Sequence, residues 1–516
     1  MYIKSFLSIA ATFALTASFA DPNSPQAALV SVTQSQSMRE VTATYTLDEP
    51  AIITFDVKTN GVSIGKENLG EACGDVYRVV QPTAQGEVRT ICWAAERACK
   101  GKQLAAGSVT FEVVAWATNA PPDYMVVSLV EKKGERTYYT APEQLPDGGV
   151  TNRKYKTDYL VMRKIPAKDV IFPMGYNSSA QYQYCLYHRV KLTNDFYMAV
   201  YELTLGQMKN AIGESPDNLT TYYRYVGNYT DNDYSGNPEF AAYASNLANP
   251  LPETPYYKFR GYTGSLWGGN FNHEVTDSGS YLYQLRNALN IPSLDLPTDA
   301  EWEFACRAGT AANRYDGTWS YSVSADAIAW TADNSTRYAL WGYSYYLPHE
   351  VGLLQPNAFG LYDTLGNVSE MCLDLYNEGT AYTGDAVIND MNAEPIVAPT
   401  GPETDIKGNY DGLSRGSYSG YVKYTSIWDE WKSGKGDTNS TRRVARGGNV
   451  SYTGWGIMAY YRFPIGSSKC MTECADYDAD TRGPYGYRLV CLPQPWYAPL
   501  RPSSFPSPPC RDWRRL

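Results

Sequence analysis

Two carboxylates, Asp363 and Glu370, stand in the stretch Gln355 to Asp374, whose Asn357, Gly360, Gly366 and Asn367 favour tight turns. Such a run reads as a rigid looped segment, and rigid loops are where sites are built. A second candidate is the C-x-x-x-C pair Cys470 and Cys474. Two thiolates are soft metal ligands, but in an exported chain such a pair is more often a disulfide. The histidines, His188, His273 and His349, lie far apart and show no i, i+4 pairing. Glu301 and Glu303 are two residues apart on a predicted helix, so they point different ways and make no acid–base pair.

The elements that must position these residues can be read locally. Thr298 and Glu301 make a T-x-x-E capping box, Trp302 and Ala305 share one face, and Gly309 stops the helix. Thr204 and Gln207 make a T-x-x-Q box for an earlier helix, and Leu282, Leu285 and Leu289 fall at helical spacing. Before them, Val41, Ala43, Tyr45 and Leu47 alternate with threonines, and AIITFDV (51–57) and SVTFEVVAW (108–116) follow, with turns at Asp48-Glu49-Pro50 and Asn60-Gly61. That is half-buried strand patterning, and it predicts a small antiparallel β-sandwich of immunoglobulin or fibronectin type.

The chain has 516 residues, enough for two to four domains at about 150 residues each. Its net charge is −10 and its basic residues are scattered, which leaves no electrostatic footprint for nucleic acid. Residues 1–20 have the layout of a secretory signal: Lys4, an apolar run from Phe6 to Leu15, and small residues at Ser18 and Ala20. No later run reaches the roughly 18 apolar residues of a membrane helix. The expectation is a soluble exported protein, secreted, periplasmic or on the cell surface. Ten cysteines suit an oxidising compartment with disulfides, though their pairing is not legible. Residues 213–280 and 379–441 are polar insertions, the first crowded with tyrosine; that composition fits either a contact surface or a solvated loop. The expected organisation is a signal (1–20), a β-sandwich (21–128), a linker (129–168), a motif domain (169–492) and a proline-rich disordered tail (493–516).

Four segments in order, DLPTDAEWEFACRAG (295–309), QPNAFGLYDTLGNVSEMCLD (355–374), RVARGG (443–448) and GYRLVC (486–491), resemble the formylglycine-generating enzyme family, also called sulfatase-modifying factors. The resemblance extends from about Phe172 to Cys491 and implies a domain of C-type-lectin-like topology rich in irregular structure, so the expected fold class is α+β. Asp295 stands where the family has Arg. The family's enzymes hold one copper ion with two cysteines shortly after RGG, and those positions fall here on Tyr452 and Ile457. Neither can ligate as a thiolate would. A branch of the family that uses histidine-bound iron needs a helical partner domain that this chain does not suggest. The resemblance further implies a structural Ca²⁺ on the carboxylates of Asp363 and Glu370 with the carbonyls of Gly366 and Val368, all hard oxygen ligands.

These readings combine into an expectation of an exported protein in which the family's fold serves as a non-catalytic binding module for a protein, peptide or glycan ligand. The expected ligand contacts are Tyr452, Trp455, Tyr460 and Arg462, at the place of the family's cleft. The rival is an oxidase that makes formylglycine from a cysteine of an exported sulfatase, or runs another metal-dependent oxidation, through a relocated site at Cys470 and Cys474.

Overall fold

A computed structural model describes residues 24–35, 39–98, 109–176, 188–215, 238–252, 254, 256–263, 266–267, 275, 277–340, 343–375, 396–397, 442–466 and 484–493. The described residues are rich in strands with few helices, an α+β chain, and they divide into two compact units. No helix among them is long and apolar enough to cross a membrane.

In the first unit the alternation at 41–47 is realised: Val41, Ala43, Tyr45 and Leu47 are buried and the threonines between them are partly exposed. This strand pairs antiparallel with Ala27–Gln34 and with Arg89–Trp93, which in turn pairs with Ala72–Gly74. A second sheet is built on Ala51–Thr59, paired along its length with Val109–Ala117. Asn60 and Gly61 both have positive φ (52° and 79°), the conformation that turns this strand tightly back onto Val62–Ser63. The two sheets meet through aromatic rings. Phe55 stacks on Phe111 at 5.0 Å and lies 6.4 Å from Trp93 of the other sheet.

In the second unit Tyr159–Ile165 pairs with Phe196–Ala199, which pairs with Val490–Cys491. The stretch 129–168, read as a linker or connecting strands before the motif domain, contributes a strand that is buried at Leu160, Val161, Met162 and Ile165. Another sheet is centred on Ser369–Leu375, antiparallel to Arg442–Arg446 and parallel to Tyr485–Gly486. Arg442–Arg446 continues to Arg462–Gly466. Ile165, Phe172, Val190, Phe196, Met198, Phe304, Leu361 and Val490 form a common core.

The capping boxes form as read: Thr204 caps Leu205–Ile212 with Gln207, and Thr298 caps Asp299–Arg307 with Glu301. The latter helix ends one residue earlier than Gly309 suggests, on Ala308 in the left-handed region at φ 46°. Tyr281–Leu289 buries Leu282, Leu285 and Leu289 as its spacing predicts. Within the tyrosine-rich insertion, Pro238–Ser245 and Tyr256–Arg260 are helical, and Tyr243 and Tyr256 are buried. Phe259 stacks on Tyr487 at 3.8 Å. These parts of the insertion are core, not contact surface; residues 216–237 and 398–441 lie outside the described residues.

Asp295 is fully buried and accepts from Arg260 Nε (2.9 Å) and Nη2 (3.0 Å) and from Arg286 Nη2 (2.9 Å). Where the family's Arg would stand, the sign of the charge is reversed and two arginines from preceding helices balance it.

Candidate functional site

The loop 361–370 is organised by one ion pair. Glu370, the second residue of the Ser369–Leu375 strand, accepts from Arg488 Nε at 2.9 Å and Nη2 at 2.6 Å, and from Trp302 Nε1 at 2.6 Å. Arg488 also donates to the carbonyls of Ala199, Val200 and Tyr362. Both residues are fully buried, so the guanidinium exchanges its hydration for a complete set of fixed acceptors.

Two further carboxylates stand near this pair. Glu202 is fully buried and accepts from Asn367 Nδ2 (2.6 Å) and the Val368 amide (3.2 Å). Asp363, held at a positive φ of 54°, accepts the Gly352 amide on Oδ2 at 2.6 Å, while its buried Oδ1 has no hydrogen-bond partner. Burial, and then the charges of Asp363 and Glu370, push Glu202 well above the usual carboxylate range. Burial raises Asp363 to about 6, against the pull of the Gly352 amide and Arg488. Three carboxylates around one guanidinium leave a negative surplus, which protons or a cation must neutralise.

Of the expected calcium ligands, Asp363 thus offers one oxygen suited to a hard cation, whereas both oxygens of Glu370 are engaged by Arg488 and Trp302. Gly366 is forced by close approach: at φ 77°, an added Cβ would lie 2.4 Å from the Trp330 carbonyl oxygen. Among the described residues no group of three or more His, Cys, Asp or Glu side chains is arranged to hold a metal.

A second network lies along the Asp299–Arg307 helix, and here each carboxylate is met by more than one arginine. Arg446 pairs with Asp299 and, through Nη1, with Glu303 at 3.0 Å; its guanidinium lies 5.8 Å from the Trp302 ring. Arg307 Nε meets Glu303 at 2.8 Å, and Arg462 Nε meets Asp299 at 2.9 Å. Glu301 is spent on the helix cap and Glu303 on these arginines.

Asp374 accepts the Asp299 amide at 2.6 Å, and burial with the Asp299 charge raises it to about 6. Its proton is then held in the folded state at pH values where the unfolded chain has lost it. Stability from this group is present at about pH 4 and lost as pH rises through 6. Thermal unfolding of Asp374→Asn is expected to show a smaller loss between pH 4.5 and 7 than the parent; equal slopes would show that Asp374 does not titrate there.

The glycines of RVARGG bring this network against the 361–370 loop. Gly447 has φ 86°, and a Cβ there would meet the Thr364 carbonyl oxygen at 2.7 Å; Gly448 at φ 70° would meet the Gly456 oxygen at 2.4 Å. Gly447→Ala is expected to cost about 2 kcal/mol or more in a denaturant titration, since both the conformation and the space exclude a side chain. A change under about 0.5 kcal/mol would contradict this close packing.

The segment after these glycines places the expected ligand residues mostly inside. Tyr452 and Tyr460 are each 6% exposed: Tyr452 packs on Phe463 at 4.7 Å, and Tyr460 stacks on Tyr176 at 4.5 Å. Ile457 is fully buried. Arg462 is partly buried and held by Asp299. Trp455 lies in the short helical turn Gly454–Gly456. Cys470 and Cys474 lie outside the described residues. No disulfide forms among the described residues; Cys306 and Cys372 are buried, and burial raises both thiols above their usual range. His349 stacks on Trp330 at 3.8 Å and reaches Ser335 Oγ at 3.1 Å.

The sheets of the second unit, the RGG turn and the GYRLV segment carry the family's motifs, and comparison with known proteins defines their class. Residues 171–491 match the Sulfatase-modifying factor enzyme 1-like domain, and the chain belongs to this family. It is 28% identical over 192 residues to the chaperone protein LppX of Paenibacillus barcinonensis, covering 36% of this chain and 64% of that protein. It is 33% identical over 141 residues to a formylglycine-generating enzyme of Streptomyces coelicolor, covering 25% of this chain and 37% of that one. A match to the serine/threonine-protein kinase pkn1 of Chlamydia pneumoniae, 31% identical over 146 residues, covers 28% of this chain and 19% of that protein. The chain thus spans less than two thirds of each of these relatives. Among solved structures, variable protein 1 of Treponema denticola is similar with 18% identity and a TM-score of 0.36, over 65% of this chain and 95% of that one. PvdO from Pseudomonas aeruginosa is similar with 17% identity and a TM-score of 0.36, over 64% and 94% respectively.

Proposed function

We propose that this family member is an exported binding module without the copper chemistry of the formylglycine-generating enzymes. The observation that carries this reading is that Tyr452 and Ile457, at the positions of the copper thiolates, are a buried phenol packed on Phe463 and a buried alkyl group. Neither supplies the soft sulfur pair that selects Cu(I). In this reading the first unit is an immunoglobulin- or fibronectin-type spacer and the second presents a surface to a protein, peptide or glycan. Of the residues read as contacts, Tyr452 and Tyr460 shape the segment from within.

Titrating Cu(I) into the reduced full chain, followed by mass spectrometry of a sulfatase-motif peptide incubated with it in air, tests the reading. The expected result is no tight stoichiometric copper and no change in peptide mass. Tight copper with conversion of the peptide thiol to an aldehyde would establish the rival oxidase, with Cys470 and Cys474 as the relocated ligands.

Calcium is proposed as a structural ion at the 361–370 loop, where its charge would offset the carboxylate surplus. Asp363 supplies the carboxylate oxygen that no protein group satisfies. Chelation is expected to lower the melting temperature of the parent by several degrees and to leave Asp363→Asn unmoved. A parent indifferent to calcium would remove this assignment.

A further inference from the structure

We propose that the turn 317–324 is a preorganised aromatic ledge that binds a neutral oligosaccharide. Among the described residues Trp319 and Tyr321 are the two aromatic side chains exposed beyond half, at 62% and 60%, and Val323 beside them is 50% exposed. Apolar side chains exposed singly are ordinary, whereas several grouped on one turn make the kind of apolar patch that marks a contact site.

The backbone that displays them is held from below by buried polar groups. Arg314 is fully buried; it donates from Nη1 to the Val323 carbonyl at 2.9 Å and from Nη2 to the Ser324 carbonyl at 3.3 Å, and pairs with Asp316 at 3.1 Å. Asn313 Nδ2 donates to the Trp319 carbonyl at 2.5 Å, and the Asn313 carbonyl accepts the Ala459 amide at 2.8 Å. The Tyr321 carbonyl lies so close to Gly454 that a Cβ there would meet it at 2.2 Å. A buried arginine committed to a surface turn fixes the rings before any ligand arrives, which lowers the entropy cost of binding.

The chemistry on the ledge selects the ligand. Between Tyr315 and Ser324 the one ionisable side chain that carries charge at neutral pH, Asp316, is paired with Arg314, and no basic side chain stands in the turn to recruit nucleic acid or an acidic lipid. Around the rings stand the exposed hydroxyls of Ser320, Ser322 and Ser324. Ser320 Oγ accepts the Ser322 amide at 3.2 Å, which leaves its O–H to donate outward. Exposed aromatic rings beside uncharged hydroxyls match a sugar ring, which has an apolar C–H face and a polar rim.

This inference shares with the binding-module reading the neighbourhood of Gly454, but it does not require loss of copper chemistry, so the copper titration and the sugar titration can fail separately. The test is calorimetric titration of the full chain with cellohexaose, chitohexaose and mannohexaose, alongside Trp319→Ala and Tyr321→Ala. At least one sugar is expected to bind, with affinity reduced tenfold or more by Trp319→Ala and severalfold by Tyr321→Ala, while the melting temperature stays at the parent value. No binding to any of the three, or binding that both variants retain, would overturn the proposal. Loss in Trp319→Ala of binding to an uncharged peptide, with no sugar bound, would assign the ledge to peptide instead.

Discussion

Arg488→Met is expected to destabilise the second unit by about 3–5 kcal/mol, the range for breaking a buried ion pair by removing one partner. The residue left behind is worse placed than most. Glu370 keeps only the Trp302 donor, Glu202 and Asp363 lose the cation that offsets them, and the carbonyls of Ala199, Val200 and Tyr362 lose the guanidinium, with Val200 keeping the Tyr362 amide. Lysine should rescue little, because an ammonium cannot match the bidentate geometry and three carbonyls together. Glu370→Leu combined with Arg488→Met should recover part of the loss, since a well-packed apolar pair carries no unpaired charge. Denaturant titration followed by tryptophan fluorescence reads both; a loss under about 1 kcal/mol for Arg488→Met would show that other contacts hold the loop.

Asp295→Ala is the second large effect, again about 3–5 kcal/mol, because it strands the buried Arg260 and the partly buried Arg286 at once. Burial already lowers Arg286 below its usual value, against the pull of Asp295, whereas Arg260 is raised by that carboxylate despite burial. The double variant Asp295→Ala with Arg260→Ala should be less destabilised than the sum of its parts, the sign of coupling between direct partners. Strict additivity would mean that the three residues do not act as one cluster.

What the sequence revealed and what it hid divide by range. Capping at Thr204 and Thr298 and the turn at Asn60-Gly61 depend on neighbours within three residues, and all were legible. The alternation at 41–47 was legible because one face is buried. The partners of Glu370 were not, since Arg488 lies 118 positions away and Trp302 lies 68 away. Nothing local distinguishes a carboxylate meant for a cation from one meant for a guanidinium. Glu202 escaped notice for the same reason: it stands outside every motif and joins the loop only through Asn367 and Val368. Tyr452 and Tyr460 were read as contacts from the place of the family's cleft, and their packing against Phe463 and Tyr176 needed the fold to be seen. The reversed charge at Asp295 was visible as a departure, whereas its compensation by Arg260 and Arg286 required the fold.

The reach of Arg488 has a consequence for how the chain is made. Its guanidinium grips the carbonyl of Ala199, 289 positions earlier, and Tyr485–Gly486 supplies the parallel neighbour of Ser369 and Glu370. A ribosome must therefore emit nearly the whole second unit before its central buried charges can be neutralised. Until then Glu202, Asp363 and Glu370 lack the guanidinium they share in the finished unit, and the nascent segment has reason to stay open and hydrated. Closure by the last strand makes folding late and non-local, the regime in which rates are slow and assistance during synthesis matters most.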